Sequence, residues 1–399
     1  MAEKPIYGVG LDAGSRGTRL VVTVLEESGL RLIGCAAGES AGWMKGVIAD
    51  QSAVSESILA VLREAEAIAG VPVESAVVGM GGATVRGGNA RGVVELGYIR
   101  EIQQADVNRA VDYASRVRLP EDRMVLQRFP QDFVVDEHPG HSDPRNMLAS
   151  RLEVNVHLLT AAVQEHSSLI GAVNQAHLAV EESIFEAFAA SYAVALPENR
   201  RDGIAVIVIG AESTEIVVYD GDAMQLATSV RICGDHFTRD LAQALCVGFE
   251  DAELVKLEYG GAASERCAGN ILVELPTPED REYRAAPRKF INQVLEARAA
   301  ELFQLMRTEL TRVSMEGALL GGVFLAGAGA RLPDLCDVAE RILQCPARYG
   351  IALGIRDWPD SLKDPEWSVV AGLAMYSAKL KAQASRQRRE SGWLGKVLR

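Results

Sequence analysis

Two spacings of apolar residues share this chain. Ile6–Asp12 (IYGVGLD) is a short apolar run, the turn AGSRGT follows, and Arg19–Leu25 (RLVVTVL) resumes the run, which predicts two strands and a tight connection. Ser52–Ala69 instead sets Ile58, Leu59, Leu62, Ala65 and Ile68 at helical spacing, and Val73–Met80 is a strand running into GMGGATV. Asp106–Ser115 predicts a helix with Asp106 as its N-cap. RMVLQRFPQDFVVDE and RLEVNVHLLTA predict strands around a polar loop, HPGHSDPRN, and Gln164–Ala176 predicts a helix.

The pattern then starts again. Ile204–Ile209 is an apolar strand, Gly210–Thr214 a turn and Glu215–Tyr219 a second strand. Helices are expected at Phe237–Ala244, Ala252–Glu258, Lys289–Val313, Val338–Leu343 and Val369–Ala382, with a buried strand, Gly322–Leu325, leading into GAGARLPDL. Each half opens on strand, small-residue turn, strand, and later carries helices, so the chain reads as two duplicated α/β lobes. Lys379–Glu390 (KLKAQASRQRRE) is weakly patterned and reads as a helix end passing into a solvated linker.

Size and charge narrow the possibilities. With 399 residues, 48% of them hydrophobic, the chain can fill several cores. A net charge of −13 argues against a nucleic-acid partner. The charge is uneven: Lys379–Arg399 holds seven Lys/Arg against one Glu, which suggests an anionic partner for the tail. Six cysteines without a C-x-x-C pair, after an opening MAEKPIYGVG that is no signal peptide, read as reduced thiols of a cytoplasmic protein. No apolar run approaches the length of about 18 residues that a membrane span needs.

Three turns could carry chemistry. In Asp12-Ala13-Gly14-Ser15-Arg16-Gly17-Thr18, a carboxylate sits at a strand end before small residues whose N–H groups can converge on an anion, with Ser15 and Thr18 as hydroxyl donors. Asp12 could hold Mg²⁺ through water, since that ion keeps most of its hydration. Val208-Ile209-Gly210-Ala211-Glu212-Ser213-Thr214-Glu215 repeats the layout, and Gly327-Ala328-Gly329-Ala330 could lie flat against a purine. An ordinary hairpin explains any one of these. Three of them in corresponding places of two lobes point to a nucleotide cleft. His138 and His141, near Asp136 and Asp143, lack a third strong ligand and read as a mobile loop.

The tail SGWLGKVLR places Trp393, Leu394, Val397 and Leu398 on one helical face flanked by Lys396 and Arg399, a membrane-surface pattern. Nine residues give only about 13 Å of helix. Firm attachment would need many copies side by side.

Together these features resemble the actin-like ATPase superfamily and, within it, the FtsA family of bacterial cell-division proteins. The most specific segment is RFPQDFVVDEHPGHSDPRNMLASRLEVNVHLLTA, similar to the family's P-Q-x-F-x-V-D…D-P…M…R-L-E-V-x-V-H-x-x-T signature. CGDHFTRDLA, AELVKLEYG and VFLAGAGARLPDL resemble further family motifs, in family order. The resemblance implies an α/β fold of two actin-like lobes (duplicated, ribonuclease H-like) with an inserted small α/β subdomain in place of actin's subdomain 1B. Residues 1–83 and 161–198 would form the first core lobe (1A) and 84–160 the inserted interaction subdomain (1C). Residues 199–233 and 320–378 would form the second core lobe (2A) and 234–319 its outer subdomain (2B). A basic linker, 379–390, would lead to a membrane-targeting amphipathic helix, 391–399.

By the same resemblance, ATP and Mg²⁺ would bind between the lobes, weakly. Gly14, Ser15, Arg16 and Gly17 would meet phosphate from the first lobe, and Gly210, Ala211, Ser213 and Thr214 from the second. Glu253 and Lys256 would contact ribose or base, and Gly327 to Ala330 the adenine. Expected partners are the C-terminal peptide of the tubulin-like FtsZ at 234–319, a second copy in a filament, other division proteins at 84–160, and lipid on the cytoplasmic face of the inner membrane at the division site. Alternatives are an adaptor like the type IV pilus protein PilM, which lacks the tail and the central signature, and a small-molecule kinase, which would need a base where Val208 stands.

Two departures bear on turnover. The family's second turn reads D-I-G-G-G-T-T-D-I, and here Val208 replaces the first Asp and Glu212 the third Gly. At about 4 Å and an effective dielectric constant of about 20, two unit charges repel by roughly 4 kcal/mol, so Glu212 is expected to weaken binding of a terminal phosphate unless it swings out.

Overall fold

The computed structural model of the protein describes residues 5–268, 271–275 and 284–397, with side-chain surroundings through Arg386. Two sheets organise the lobes, and their topology is the same. In the first, the strands run Ala179–Phe185, Ser75–Met80, Ile6–Ala13, Gly17–Glu26, Gly29–Glu39, with the short Ile355–Arg356 added at the far edge. In the second they run Ala347–Tyr349, Gly322–Ala326, Ile204–Ile209, Thr214–Asp220, Ala223–Val230. Each is an antiparallel three-stranded meander joined along its first strand to two parallel strands. This is the duplication that the two strand–turn–strand openings predict.

The strand Ile204–Ile209 shows why an unbroken apolar run was needed. Ile204, Val206 and Val208 enter the core shared with the first lobe, whereas Ala205, Ile207 and Ile209 enter the core of the second. A strand covered on both faces cannot alternate with polar residues. The lobes therefore share a packed back, completed by the helix Glu186–Val194, whose Ala187, Ala189, Ala190 and Ala193 are buried in the same core.

A four-stranded sheet is inserted after Met80. Its strands run Arg86–Glu101, Leu148–Ala162, Arg123–Val135, His138–His141, and the helix Gln104–Ala114 packs on it. His157, buried in this sheet, accepts a hydrogen bond at Nε2 from the Ala227 N–H (3.0 Å) and donates from Nδ1 to Asn89 Oδ1 (2.6 Å), tying the insertion to the second lobe.

Three expectations need correction. Asp106 is not an N-cap: the helix starts at Gln104, and Asp106 sits in its first turn, accepting from the Gln103 N–H (3.0 Å) while paired to Arg100 and Arg109. A carboxylate there answers the same orphan N–H groups from inside the helix. HPGHSDPRN is not all loop, because His138–His141 pairs with the preceding strand; Asp136 is held by Ser150 and Asp143 by Arg145. Lys379–Glu390 is no linker, since one helix runs from Ser368 to Val397. Its first turns are buried on the first-lobe sheet, Ser377 Oγ accepts from the Val9 N–H (3.1 Å), and Lys381 pairs with Glu181 (2.7 Å). Once nucleated by that packing, a stretch of Lys, Ala, Gln, Arg and Glu propagates as helix at little cost.

Candidate functional site

The connections Gly14–Arg16 and Gly210–Ser213 close in the same way: the Gly14 N–H donates to Gly17 O (3.1 Å) and the Gly210 N–H to Ser213 O (2.9 Å). Both turns line one cleft of about 270 Å³ between the lobes. Of the sequence-predicted residues, Asp12, Gly14, Ser15, Arg16, Gly17, Gly210, Ala211, Ser213, Gly327 and Ala328 are on its wall. Thr214 is buried, and its Oγ1 has no partner among the described residues.

Others are placed elsewhere. Gly329 and Ala330 are off the wall, and the glycines of this third turn serve packing. Gly327 has φ +82°, and a Cβ there would lie 2.6 Å from Ile209 O; one on Gly329 would lie 2.5 Å from Ile209 Cγ2. Glu253 and Lys256 are also off the wall, paired with each other (2.7 Å), and both bond Thr238 Oγ1. Thr18, read as a hydroxyl donor, is buried and bonded to Ser40 Oγ (2.8 Å). Arg16 reaches across to Asp235 (3.4 Å) and lies over the Phe249 ring (5.1 Å to its centroid). Trp393, Leu394, Lys396 and Val397 lie on the terminal helix, but their side chains, and all of Leu398 and Arg399, are outside the described residues.

The structure adds residues that motif reading missed. Glu186 lines the cleft from the start of its helix. Glu215, in the second-lobe strand, accepts from the Gly82 N–H (3.1 Å) and the Ala187 N–H (3.2 Å) of the first lobe. The available signal was a lone Glu within an apolar run, in SIFEAFAAS and STEIVVY. A short hairpin, Trp43–Met44 with Val47–Ile48, forms another wall, and the Gly46 N–H within it donates to Glu212 Oε2.

Burial makes these carboxyls reluctant to ionise. Asp12 is pushed up to about 6, with Arg19 partly offsetting the loss of solvent. Glu215 is pushed up to about 8 by burial and Asp12, against the two N–H donors that favour its anion. Glu186 is raised well above the usual range by burial, then by Glu215 and Asp12. Burial thus disfavours the anionic form of Glu186 that a proton acceptor would need. A divalent cation entering beside these acids would reverse that preference.

This donor set fits a magnesium nucleotide. Small-residue turns face one cleft from both lobes, Asp12 lies at one strand end, and the Arg19 Nε and Trp43 Nε1 of wall residues have no partner among the described residues.

Comparison with known proteins agrees with the architecture. The family profile described as the SHS2 domain inserted in FtsA matches residues 82–160, and that of Cell division protein FtsA matches 205–372. The chain is 32% identical over 369 residues to the Cell division protein FtsA of Pseudomonas aeruginosa, covering 92% of this chain and 88% of that one. Among solved structures, a chain of the PilM-PilN type IV pilus biogenesis complex superposes with a TM-score of 0.67 at 19% identity, covering 93% of this chain and 98% of its own. MreB5 of Spiroplasma citri bound to ADP superposes with a TM-score of 0.57 at 13% identity, covering 95% and 98%. Both share the actin-like fold.

Proposed function

The chain belongs to the FtsA family of cell-division proteins, and from that premise we propose that it tethers the FtsZ C-terminal peptide to the inner membrane as a filament of copies, with a nucleotide cleft of low turnover. The observation that carries the tether is the terminal helix. It is seated on the first-lobe sheet and runs unbroken to Val397, through a segment whose sequence gathers Trp393, Leu394, Val397 and Leu398 beside Lys396 and Arg399. Such a short apolar and cationic face binds an anionic bilayer marginally, so side-by-side copies supply the avidity. The FtsZ peptide would dock within 234–319, and other division proteins on the inserted sheet. The site of action would be the cytoplasmic face of the membrane at the division plane.

ATP with Mg²⁺ is the ligand proposed for the cleft, as ADP is bound in the actin-like MreB5. Gly14, Ser15, Arg16, Gly17, Gly210, Ala211, Ser213 and Thr214 would hold phosphate, and Asp12 the hydrated ion. Glu253, Lys256 and Gly327–Ala330 remain the proposed base and ribose side, which requires Glu253 and Lys256 to exchange their mutual pairing for the ligand. The nucleotide supplies a phosphoanhydride. Activating water beside it needs a carboxylate near the attack, and position 208, where the family has Asp, holds Val208, which supports slow turnover. The insertion matching the FtsA-specific profile favours this reading over a PilM-like adaptor.

Co-sedimentation with vesicles containing phosphatidylglycerol tests the tether. The full chain is expected to pellet and a chain lacking 391–399 to remain in solution; equal pelleting would refute it.

A further inference from the structure

Several carboxylates of the second lobe reach the first, Glu366 pairing with Arg19 (2.9 Å) and Glu250 nearing Arg16 among them. Glu215 sits on the N–H groups of Gly82 and Ala187, Asp235 pairs with Arg16, and Glu212 takes the N–H of Gly46. Backbone N–H groups and guanidinium groups are the donors that an actin-like cleft would turn towards an anion. Here protein carboxylates already occupy some of them.

Glu212 is the informative one among them. It lies within the turn Gly210–Ser213, between the two residues that face the cleft on either side, Ala211 and Ser213. The side chain does not swing away into solvent. It is half-buried and crosses to the first-lobe hairpin, where Gly46, at φ +76°, turns its N–H to the carboxylate. That φ belongs to the left-handed region that favours glycine. A Cβ added to Gly46 would meet the Glu212 Cβ at an ordinary contact distance, 3.6 Å, so about one methyl group's width separates the hairpin from the turn there. The cleft bounded by this contact, about 270 Å³, falls just below the usual range for small-molecule sites. Glu212 itself is part of its wall.

We infer that Glu212 is a built-in surrogate for a terminal phosphate: by clasping Gly46 it holds the lobes together and makes the cleft select a nucleoside diphosphate over a triphosphate. This rests on the nucleotide reading of the cleft. A diphosphate leaves the clasp intact. A third phosphate must either sit beside the Glu212 carboxylate or displace it from the Gly46 N–H. Closure of the lobes, and any assembly that needs the closed form, then no longer waits for a triphosphate.

Titration calorimetry of the full chain with Mg-ADP and with the non-hydrolysable Mg-AMPPNP tests this on three proteins. The unaltered chain should bind the diphosphate at least about ten-fold more tightly. Glu212→Gln keeps an oxygen for the Gly46 N–H but loses the charge, and should cut the preference to below about three-fold. Glu212→Gly loses both and should show no preference. A diphosphate preference unchanged in both variants, or absent from the unaltered chain, would overturn the clasp while leaving the nucleotide site standing. No binding of either nucleotide to any of the three would overturn the nucleotide reading itself and the clasp with it.

Discussion

Val208 and Glu215 are register partners on adjoining antiparallel strands of the second lobe, standing where Asp12 and Arg19 stand in the first. Directly opposed residues project to the same face of a sheet. The carboxylate that position 208 lacks is therefore present one strand away, but it is spent on the N–H groups of Gly82 and Ala187. The pair thus joins the lobes.

Restoring a carboxylate at Val208 should be harmful without metal. Val208 is only 4% exposed, and Asp12 and Glu186 share its cleft. A further buried acid there is unpaired and costs about 2 kcal/mol or more. Thermal melts of Val208→Asp are expected to fall by several degrees in chelator and to recover with millimolar Mg²⁺ and nucleotide. Equal melts in both conditions would show that no ion reaches this position.

The buried acids set a pH dependence with a definite sign. Asp12 rises from 3.8 to about 6 on folding and Glu215 from 4.5 to about 8, with Glu186 also raised. The folded state then holds protons that the unfolded chain has released, so their contribution is full below about pH 4 and is lost as pH climbs to about 8. Urea midpoints should decline from about pH 4 to about pH 8. Glu186→Gln, which removes one of the acids, should flatten the decline.

His157 has the opposite sign. Burial lowers its pKa below 6.5, opposed by the Ala227 carbonyl, which can accept only from a protonated Nε2 (3.3 Å), while Arg312 adds to the lowering. Its contribution is present above 6.5 and is lost as pH falls, because a protonated Nε2 cannot accept from the Ala227 N–H. Hydrogen exchange at Ala227, corrected for intrinsic rate, should accelerate between pH 7 and 5.5. The Val217 amide in the same sheet should not follow it.

Gly327 should tolerate no side chain. Gly327→Ala must hold φ near +82° with its Cβ 2.6 Å from Ile209 O. The expected loss is about 2–3 kcal/mol of unfolding free energy by urea titration, with Ala328→Gly as the mild control.

The terminal helix makes a geometric prediction for the tether. Spin labels at positions 381 and 396 should report one narrow backbone separation of about 22 Å if the helix continues in solution. A broad distribution would restore the linker that the composition suggested.

Much of this molecule is legible in local pattern. Ile204–Ile209 is apolar at every position because both faces are covered, and the long helix Arg288–Arg312 shows in its own periodicity. The small-residue turns are visible because a backbone turning towards an anion, or against another strand, admits no bulk. Strands such as Arg86–Glu101 (RGGNARGVVELGYIRE) and Ala223–Val230 are not legible, because glycine and polar residues hide the alternation. Pairing with Leu148–Ala162 and Thr214–Asp220 makes them strands. The chain alone determined two matching lobes and turns of small residues, since these follow from spacing and side-chain size over a few neighbours. Only the folded arrangement decided that Glu186 and Glu215 meet Asp12, that Glu253 and Lys256 pair with each other, and that Glu212 reaches Gly46. Those outcomes depend on groups far apart in sequence sharing one poorly solvated space, where each charge is settled by the partners that packing brings to it.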